Sequence, residues 1–227
     1  MQKVTMAGKR RETVLITGGE GDLGRALSKI FTSQDWEVLH PGVQELDVRS
    51  ERSVELFFSS LTRLDLLINN AGVIGDNLIT RMSSQSWDHV LSVNLRGSFL
   101  CTREAMKRML PQGNGQVIFI GSRSARYGTI GQCNYAASKA ALIGLSQSMS
   151  KEYSGGGFRF NVVLPGFLET KINRGLSPES RQSALDQHTL GRFNTVDEAA
   201  RFVAFLASLS NVSGQVFQLD SRIDPWN

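Results

Sequence analysis

The chain has 227 residues, of which 41% are hydrophobic and 20% are charged, and its formal net charge is +4. This length accommodates one α/β domain with a full core and leaves little room for a second domain. The composition is that of a globular protein rather than a disordered one, and no run of Lys and Arg is long enough for a nucleic-acid-binding arm. The mildly basic surface could attract an anionic ligand.

The two cysteines, Cys101 and Cys133, are too few for a disulfide framework and are expected to be reduced. Residues 1–11 are interpreted as an N-terminal extension, which lacks the apolar stretch of a signal peptide. No segment has the length and hydrophobicity of a membrane span. We therefore expect a cytoplasmic protein with no membrane partner, and we predict no metal site.

Short β-branched segments alternate with amphipathic stretches along the chain. Strands are predicted at residues 13–17, 36–40, 44–48, 65–69, 115–120, 158–164 and 215–219. Helices are predicted at residues 22–34, 50–61, 86–110 and 133–153, and two more follow the cap signals Ser177-Pro178 and Thr195-x-x-Glu198. Strands that alternate with helices imply right-handed crossovers and a parallel sheet covered on both faces. The predicted fold class is therefore α/β, a Rossmann-type doubly wound parallel sheet with three α/β/α layers, in a single domain over residues 1–227.

Glycine-rich or polar segments follow several of these strands, at Gly18–Gly24, Asn69–Gly72, Ser122 and Pro165–Thr170. Sheets of this kind bind ligands outside the carboxyl ends of their strands, so a site is expected where these segments meet. Glycines in the first segment would allow a tight turn and the close approach of a pyrophosphate to a helix N-terminus. Taken alone, that segment is almost equally consistent with a purely structural turn.

Tyr135 and Lys139 are four residues apart on a predicted helix and therefore share one face. A neighbouring ammonium favours the phenolate and would lower the pKa of the tyrosine from its usual value near 10. A tyrosine with such a pKa could exchange a proton with a carbonyl or an alcohol. Taken alone, the pair is more often an ordinary surface pair.

The combined motifs resemble those of the short-chain dehydrogenase/reductase family over nearly the whole chain. The matching positions are Thr17, Gly18 and Gly24; Asn69-Asn70-Ala71-Gly72; Asn94 in Ser-Val-Asn-Leu; Ser122 after Phe-Ile-Gly; Tyr135 with Lys139; and Pro165-Gly166 with Thr170. Within the family, residues 69–82, 131–135 and 165–170 are most similar to the 3-oxoacyl-carrier-protein reductases.

The resemblance implies a catalytic tetrad of Asn94, Ser122, Tyr135 and Lys139. Tyr135 would be the general acid, Lys139 would lower its pKa and hold the nicotinamide ribose, Ser122 would hydrogen-bond the substrate carbonyl, and Asn94 would support a water-linked proton relay. The hydride would come from the nicotinamide cofactor. Contacts to that cofactor are implied for Gly18, Glu20, Asp22, Leu23, Asp47, Val48, Asn70, Ala71, Gly72, Tyr135, Lys139, Pro165, Gly166, Leu168 and Thr170.

Several positions depart from the family's pattern. Asp22 replaces a glycine, and its side chain is expected to face outward and cap the helix, because an inward carboxylate would repel a pyrophosphate. Gly21 replaces a basic residue of many NADP-dependent relatives, yet residues 40–42 supply no carboxylate that would reject a 2′-phosphate. The missing acid and the likeness to the carrier-protein reductases favour NADP(H) over NAD(H). Arg222 is expected at a subunit contact or near the site.

The leading functional hypothesis is reduction of a 3-oxoacyl thioester, linked to acyl carrier protein or CoA, to the 3-hydroxyacyl product, as in fatty acid biosynthesis. One alternative keeps this chemistry with a free ketone, an alcohol or a polyketide-like intermediate as substrate. Another is a regulatory protein that binds NAD(P) without turnover.

Residues 171–193 are predicted to form a lid over the substrate. The family's contact helices predict a homotetramer, with a dimer as the alternative.

Overall fold

The computed structural model describes residues 10–170 and 177–223. Their strands form one parallel six-stranded sheet in the order β2-β1-β3-β4-β5-β6. The strands are β1 (Thr13–Ile16), β2 (Glu37–Leu39), β3 (Leu66–Asn69), β4 (Asn114–Ile120), β5 (Gly157–Leu164) and β6 (Val216–Gln218). The helices are α1 (Asp22–Ser33), α2 (Glu51–Ser59), α3 (Ser84–Leu91), α4 (Ser98–Met109), α5 (Ser124–Tyr127), α6 (Cys133–Glu152), α7 (Pro178–Asp186) and α8 (Val196–Ser208).

Helices cover both faces of the sheet, which confirms the predicted fold class. Successive residues of a strand point to opposite faces, so Leu67 of β3 lies in the core under α2, α4 and α6, and Ile68 lies in the core under α1 and α8. Phe58 and Phe31 are fully buried in these two cores, one on each side. Both faces of each central strand are apolar because both are covered.

The predicted strand at residues 44–48 is wrong. The chain forms a turn there, in which the backbone N–H groups of Glu45 and Leu46 both donate to the carbonyl of Gly42, at 3.1 and 3.0 Å. Leu46 and Val48 are nevertheless buried in the core. The alternation of these apolar residues in the sequence therefore reflects their packing into the core and not the pairing of this segment with another strand.

The helix predicted at residues 86–110 is interrupted. A π-helical segment over Ser92–Gly97 separates α3 from α4, and such segments often occur at functional sites. The two cap predictions are confirmed: Ser177 accepts the N–H of Ser180, and Thr195 accepts the N–H of Glu198 at 3.1 Å.

The strand order reverses between β1 and β3, because the chain adds β2 on one side of β1 and the later strands on the other. The loops after β1 and β3 therefore diverge and leave a crevice at the carboxyl edge of the sheet.

Candidate active site

A cleft of about 860 Å³ lies at this switch point, a size typical of small-molecule sites. Fourteen of the residues implied by the family resemblance line it: Gly18, Glu20, Asp22, Leu23, Asn70, Ala71, Gly72, Ser122, Tyr135, Lys139, Pro165, Gly166, Leu168 and Thr170. Asn94, Asp47 and Val48 do not line it. The sequence also missed the lining residues Asp76, Arg123 and Gln132; for Arg123 the signal was its position next to Ser122.

The loops after β1 and β3 interlock through Thr17. Its hydroxyl oxygen accepts the backbone N–H groups of Asn70 and Ala71, each at 3.0 Å, and the Asn70 amide donates to the carbonyls of Thr17 and Gly18. Gly18 has φ +62°, and a Cβ there would lie 2.8 Å from Cα of Ala71. The turn thus needs glycine at this position, both for its conformation and for the close approach of the neighbouring loop.

Ser122, Tyr135 and Lys139 meet at the other end of the cleft. Lys139 Nζ lies 5.8 Å from the centre of the Tyr135 ring and donates to the carbonyl of Ile120 at 2.8 Å. Lys139 is only 3% exposed, and its desolvation lowers its pKa to about 8. Tyr135 and Ser122 are hydrogen-bonded through their side chains.

Desolvation raises the pKa of Tyr135, and the charge of Asp76 adds to that effect, whereas the hydrogen bond with Ser122 opposes it. The expectation that Lys139 lowers the pKa of Tyr135 is therefore wrong for the protein without a bound cofactor. The physical reason is that burial removes the water that would solvate the phenolate. Lys139, which is buried as well, is itself driven toward its neutral form.

Asn94 lies behind the cleft in the π-helical segment. Its amide accepts the N–H of Val73 at 2.9 Å and donates to the Val73 carbonyl and to Ser138 Oγ. Gly72 lies between Asn94 and the cleft: a Cβ at Gly72 would be 3.5 Å from Asn94 Oδ1 and 3.4 Å from Lys139 Nζ. Asn94 therefore holds the loop after β3 beside Lys139.

The model of a protein family described as enoyl-(acyl carrier protein) reductase matches residues 13–221. The chain belongs to the short-chain dehydrogenase/reductase family.

Similar members include three proteins named 3-oxoacyl-(acyl-carrier-protein) reductase. The one from Aquifex aeolicus is 37% identical over 96% of this chain and 89% of its own. The one from Thermotoga maritima is 34% identical over 92% of this chain and 96% of its own. The one from Escherichia coli K12 is 34% identical over 86% of this chain and 88% of its own.

As a short-chain dehydrogenase/reductase, the chain is an NAD(P)-dependent oxidoreductase that acts on CH–OH or C=O groups. The cleft fits such a dinucleotide, because glycines allow the loops around it to pack closely where a Cβ would collide with the neighbouring segment. Gly18 faces Ala71 in this way, and Gly166, with φ +83°, faces Asp220. A pyrophosphate would meet the N-terminus of α1. The described residues contain no group of His, Cys, Asp and Glu side chains that could hold a metal ion.

This short-chain dehydrogenase/reductase differs from expectation at Asp22. The N-cap of α1 is Gly21, so Asp22 is the first helical residue, and it lines the cleft instead of capping the helix outside it. Side chains of a helix lean toward its N-terminus, and the N-terminus of α1 faces the cleft.

Asp47 and Val48 are not brought to the cleft. Arg49 donates to both carboxylate oxygens of Asp47, at 2.9 and 2.8 Å, and lowers the pKa of that carboxyl group. Val48 packs against Gly97, where a Cβ would lie 2.8 Å from Val48 Cγ2. Residues 43–45, which precede both side chains, form a turn instead of the predicted strand.

Arg222 lies near the site and not on a remote surface. It lines the cleft and forms an ion pair with Asp220, whose side chain is fully buried. The described part of the predicted lid, including α7, also borders the cleft through Ser180, Ala184 and Gln187. Residues 171–176 of that lid and residues 1–9 of the predicted N-terminal extension lie outside the described residues.

None of the helices in the described part of the chain is long and apolar enough to cross a membrane.

Proposed function

We propose that this oxidoreductase is a ketoreductase that converts a 3-oxoacyl thioester, linked to acyl carrier protein or CoA, into the 3-hydroxyacyl product. The observation that carries the proposal is the Ser122–Tyr135 hydrogen bond beside Lys139 in the wall of the cleft. The names of the similar proteins support the substrate class.

In the proposed reaction the nicotinamide cofactor supplies a hydride to the carbonyl carbon. Ser122 donates a hydrogen bond to the carbonyl oxygen and orients it. Tyr135 delivers its phenolic proton to that oxygen as negative charge develops there. The raised pKa of Tyr135 suits this role, because the phenol is fully protonated at neutral pH. Lys139, in its charged form, then stabilises the phenolate that is left.

Apolar side chains near the reacting end support a substrate with a hydrocarbon portion. Ile74, Ile130 and Phe167 line the cleft with Tyr135, and Ile130 is 91% exposed at its mouth. An acyl chain would cover this surface. A free ketone or a polyketide-like intermediate could contact the same surface. A turnover assay therefore decides between these substrates and the 3-oxoacyl thioesters.

The test is turnover of acetoacetyl-CoA and acetoacetyl-(acyl carrier protein) with NADPH and with NADH, followed by coenzyme absorbance, with a simple free ketone as the comparison. Higher kcat/KM for the thioesters supports the proposal. Turnover of the free ketone alone would remove the thioester assignment and leave the oxidoreductase chemistry in place.

Tyr135→Phe is expected to lower kcat by about a hundred- to ten-thousand-fold while coenzyme binding persists, because only the proton donor is lost. The matched control is Tyr153→Phe, which removes a hydroxyl at the far end of α6, outside the cleft. Equal kcat in Tyr135→Phe and wild type would remove Tyr135 as the proton donor. A cellular role that Tyr135→Phe leaves intact would instead favour a regulatory protein that binds NAD(P) without turnover.

Homotetramer assembly, a role in fatty acid biosynthesis and a cytoplasmic location remain predictions from the sequence. The predicted preference for NADPH depends on there being no carboxylate at the corner of the cleft next to β2.

A further inference from the structure

The loop after β2 is pressed against the glycine turn, and the two segments together form what we call the β2 corner (Gly19, Glu20 and residues 40–42). A Cβ at Gly19 would lie 2.4 Å from the carbonyl oxygen of His40. A Cβ at Gly42 would lie 2.6 Å from the carboxyl carbon of Glu20 and 2.8 Å from each carboxylate oxygen. The Glu20 carboxylate therefore fills the space that a side chain at position 42 would need.

The sheet order determines which half of a dinucleotide reaches this corner. Ser122, Tyr135 and Lys139 act on the substrate carbonyl beside the nicotinamide, and they lie on the β4 side of the switch point. The pyrophosphate belongs at the N-terminus of α1, above β1. An extended dinucleotide that passes over β1 must then place its adenosine ribose over the opposite side, next to β2.

The cations that line the cleft lie at one of its ends, where the carboxylate of Asp76 also lies near Tyr135. Glu20 and Asp22 lie at the end that contains the β2 corner. Among the described residues, the lining cations are Lys139, Arg123 and Arg222, which lie at the reacting end beside Tyr135, Ser122 and Gly166. Val43, which follows Gly42 in the lining, is apolar. The described lining thus offers a 2′-phosphate a carboxylate at this corner and no cation.

We propose that Glu20 selects NAD(H) over NADP(H). Its carboxylate accepts hydrogen bonds from the hydroxyl groups of the adenosine ribose, and it repels the 2′-phosphate that replaces one of them. The expectation of NADP(H) assumed that the acid must follow β2; here the glycine turn supplies it. The proposal deepens the proposed function and rests on dinucleotide binding in this cleft, whichever ketone is reduced.

The test is direct titration of the protein with NADH and with NADPH by calorimetry, without substrate. We expect wild type to bind NADPH at least about tenfold more weakly than NADH. Glu20→Gln keeps the shape of the side chain and removes its charge. It should therefore reduce the ratio of the NADPH dissociation constant to the NADH dissociation constant by at least about fivefold, chiefly through tighter NADPH binding.

The matched control is Glu45→Gln. Glu45 Oε2 accepts the N–H of Gly42 at 3.0 Å but does not line the cleft, so this variant should leave the ratio unchanged. A second measurement uses wild type alone: raising ionic strength should narrow the ratio, because salt screens the repulsion. Glu20→Arg should reverse the preference.

Wild type that binds NADPH as tightly as NADH, or a ratio that Glu20→Gln leaves unchanged, would overturn the role of Glu20. Selective NADH binding without turnover of any acyl thioester would instead sink the proposed substrate and leave this inference standing.

Discussion

Tyr135 and Lys139 occupy one face of α6, and burial moves their pKa values in opposite directions. The pKa of Tyr135 rises, and that of Lys139 falls to about 8. At neutral pH the tyrosine therefore retains the proton that it must donate, whereas the lysine loses its own just above neutrality. The pair is suited to proton donation in the reducing direction.

The lowered pKa of Lys139 links stability to pH. The unfolded chain keeps this lysine protonated up to about pH 10.5, whereas the folded protein releases its proton near pH 8. Between these values the unfolded state binds more protons, so the free energy of unfolding should rise with pH. Relative to Lys139→Met, wild type should gain up to about 3 kcal/mol across this window.

Urea unfolding of both proteins at a series of pH values measures this difference. Lys151→Met, a change in the exposed last turn of the same helix, is the control and should show no comparable trend. A constant difference between wild type and Lys139→Met from pH 7 to about 10.5 would contradict the assignment.

At the scale of elements, the π-helical segment positions Asn94 so that one amide serves three partners. It accepts the N–H of Val73 and donates to the Val73 carbonyl and to Ser138. The side chain is fully buried. Asn94 thereby fastens the loop after β3 to α6, where Lys139 lies.

Asn94→Ala should lower the free energy of unfolding by roughly 2–4 kcal/mol, because buried polar groups lose their partners. Ser92→Ala, in the same segment, removes only an exposed bond to the carbonyl of His89 and should change it by less than about 0.5 kcal/mol. Denaturant titration of the two variants makes the comparison. A similar decrease in the free energy of unfolding in both variants would mean that the π-helical segment as a whole, and not the Asn94 amide, accounts for the decrease.

The accuracy of sequence reasoning also differed between elements. The strands on either side of the switch point were predicted because continuous apolar segments indicate burial on both faces. The segment at residues 44–48 was mistaken for a strand because Leu46 and Val48 alternate and are buried, although they pack from a turn. The periodicity of apolar residues indicates burial and not hydrogen-bond pairing between strands. Neither periodicity nor the spacing of motifs could predict that the Glu20 carboxylate lies against Gly42.

The site residues illustrate the same limit. Ser122, Tyr135 and Lys139 were found because motifs and helical spacing indicate proximity. The sense of the pKa shift of Tyr135 was missed because it depends on desolvation in the folded cleft. Position in the sequence assigns Asp47 to the cofactor, and this contact stays a prediction: Asp47 does not line the cleft, and Arg49 donates to its carboxylate.

For the whole molecule, the outer face of α6 is the feature most relevant to the predicted homotetramer. Ala137, Ala140 and Gly144 are exposed along one stripe of this helix, and a Cβ at Gly144 would meet no atom of the chain. Small residues at this spacing allow a helix from another subunit to approach closely.

We expect light scattering to give the mass of a tetramer, or of a dimer as the alternative, and Ala140→Glu to reduce it by placing a charge in the contact. Ser33→Glu, at the exposed end of α1, is the control and should keep the assembled mass. A wild-type monomer would refute the prediction.

The contact between Gly42 and Glu20 also constrains how this lineage can vary. Because a Cβ at residue 42 would overlap the Glu20 carboxylate, a side chain at position 42 would force the Glu20 side chain to turn away from its present place. The two positions therefore compete for the same space beside the glycine turn. We expect substitutions at positions 42 and 20 to occur together among relatives, so that a change of coenzyme is recorded as a paired substitution.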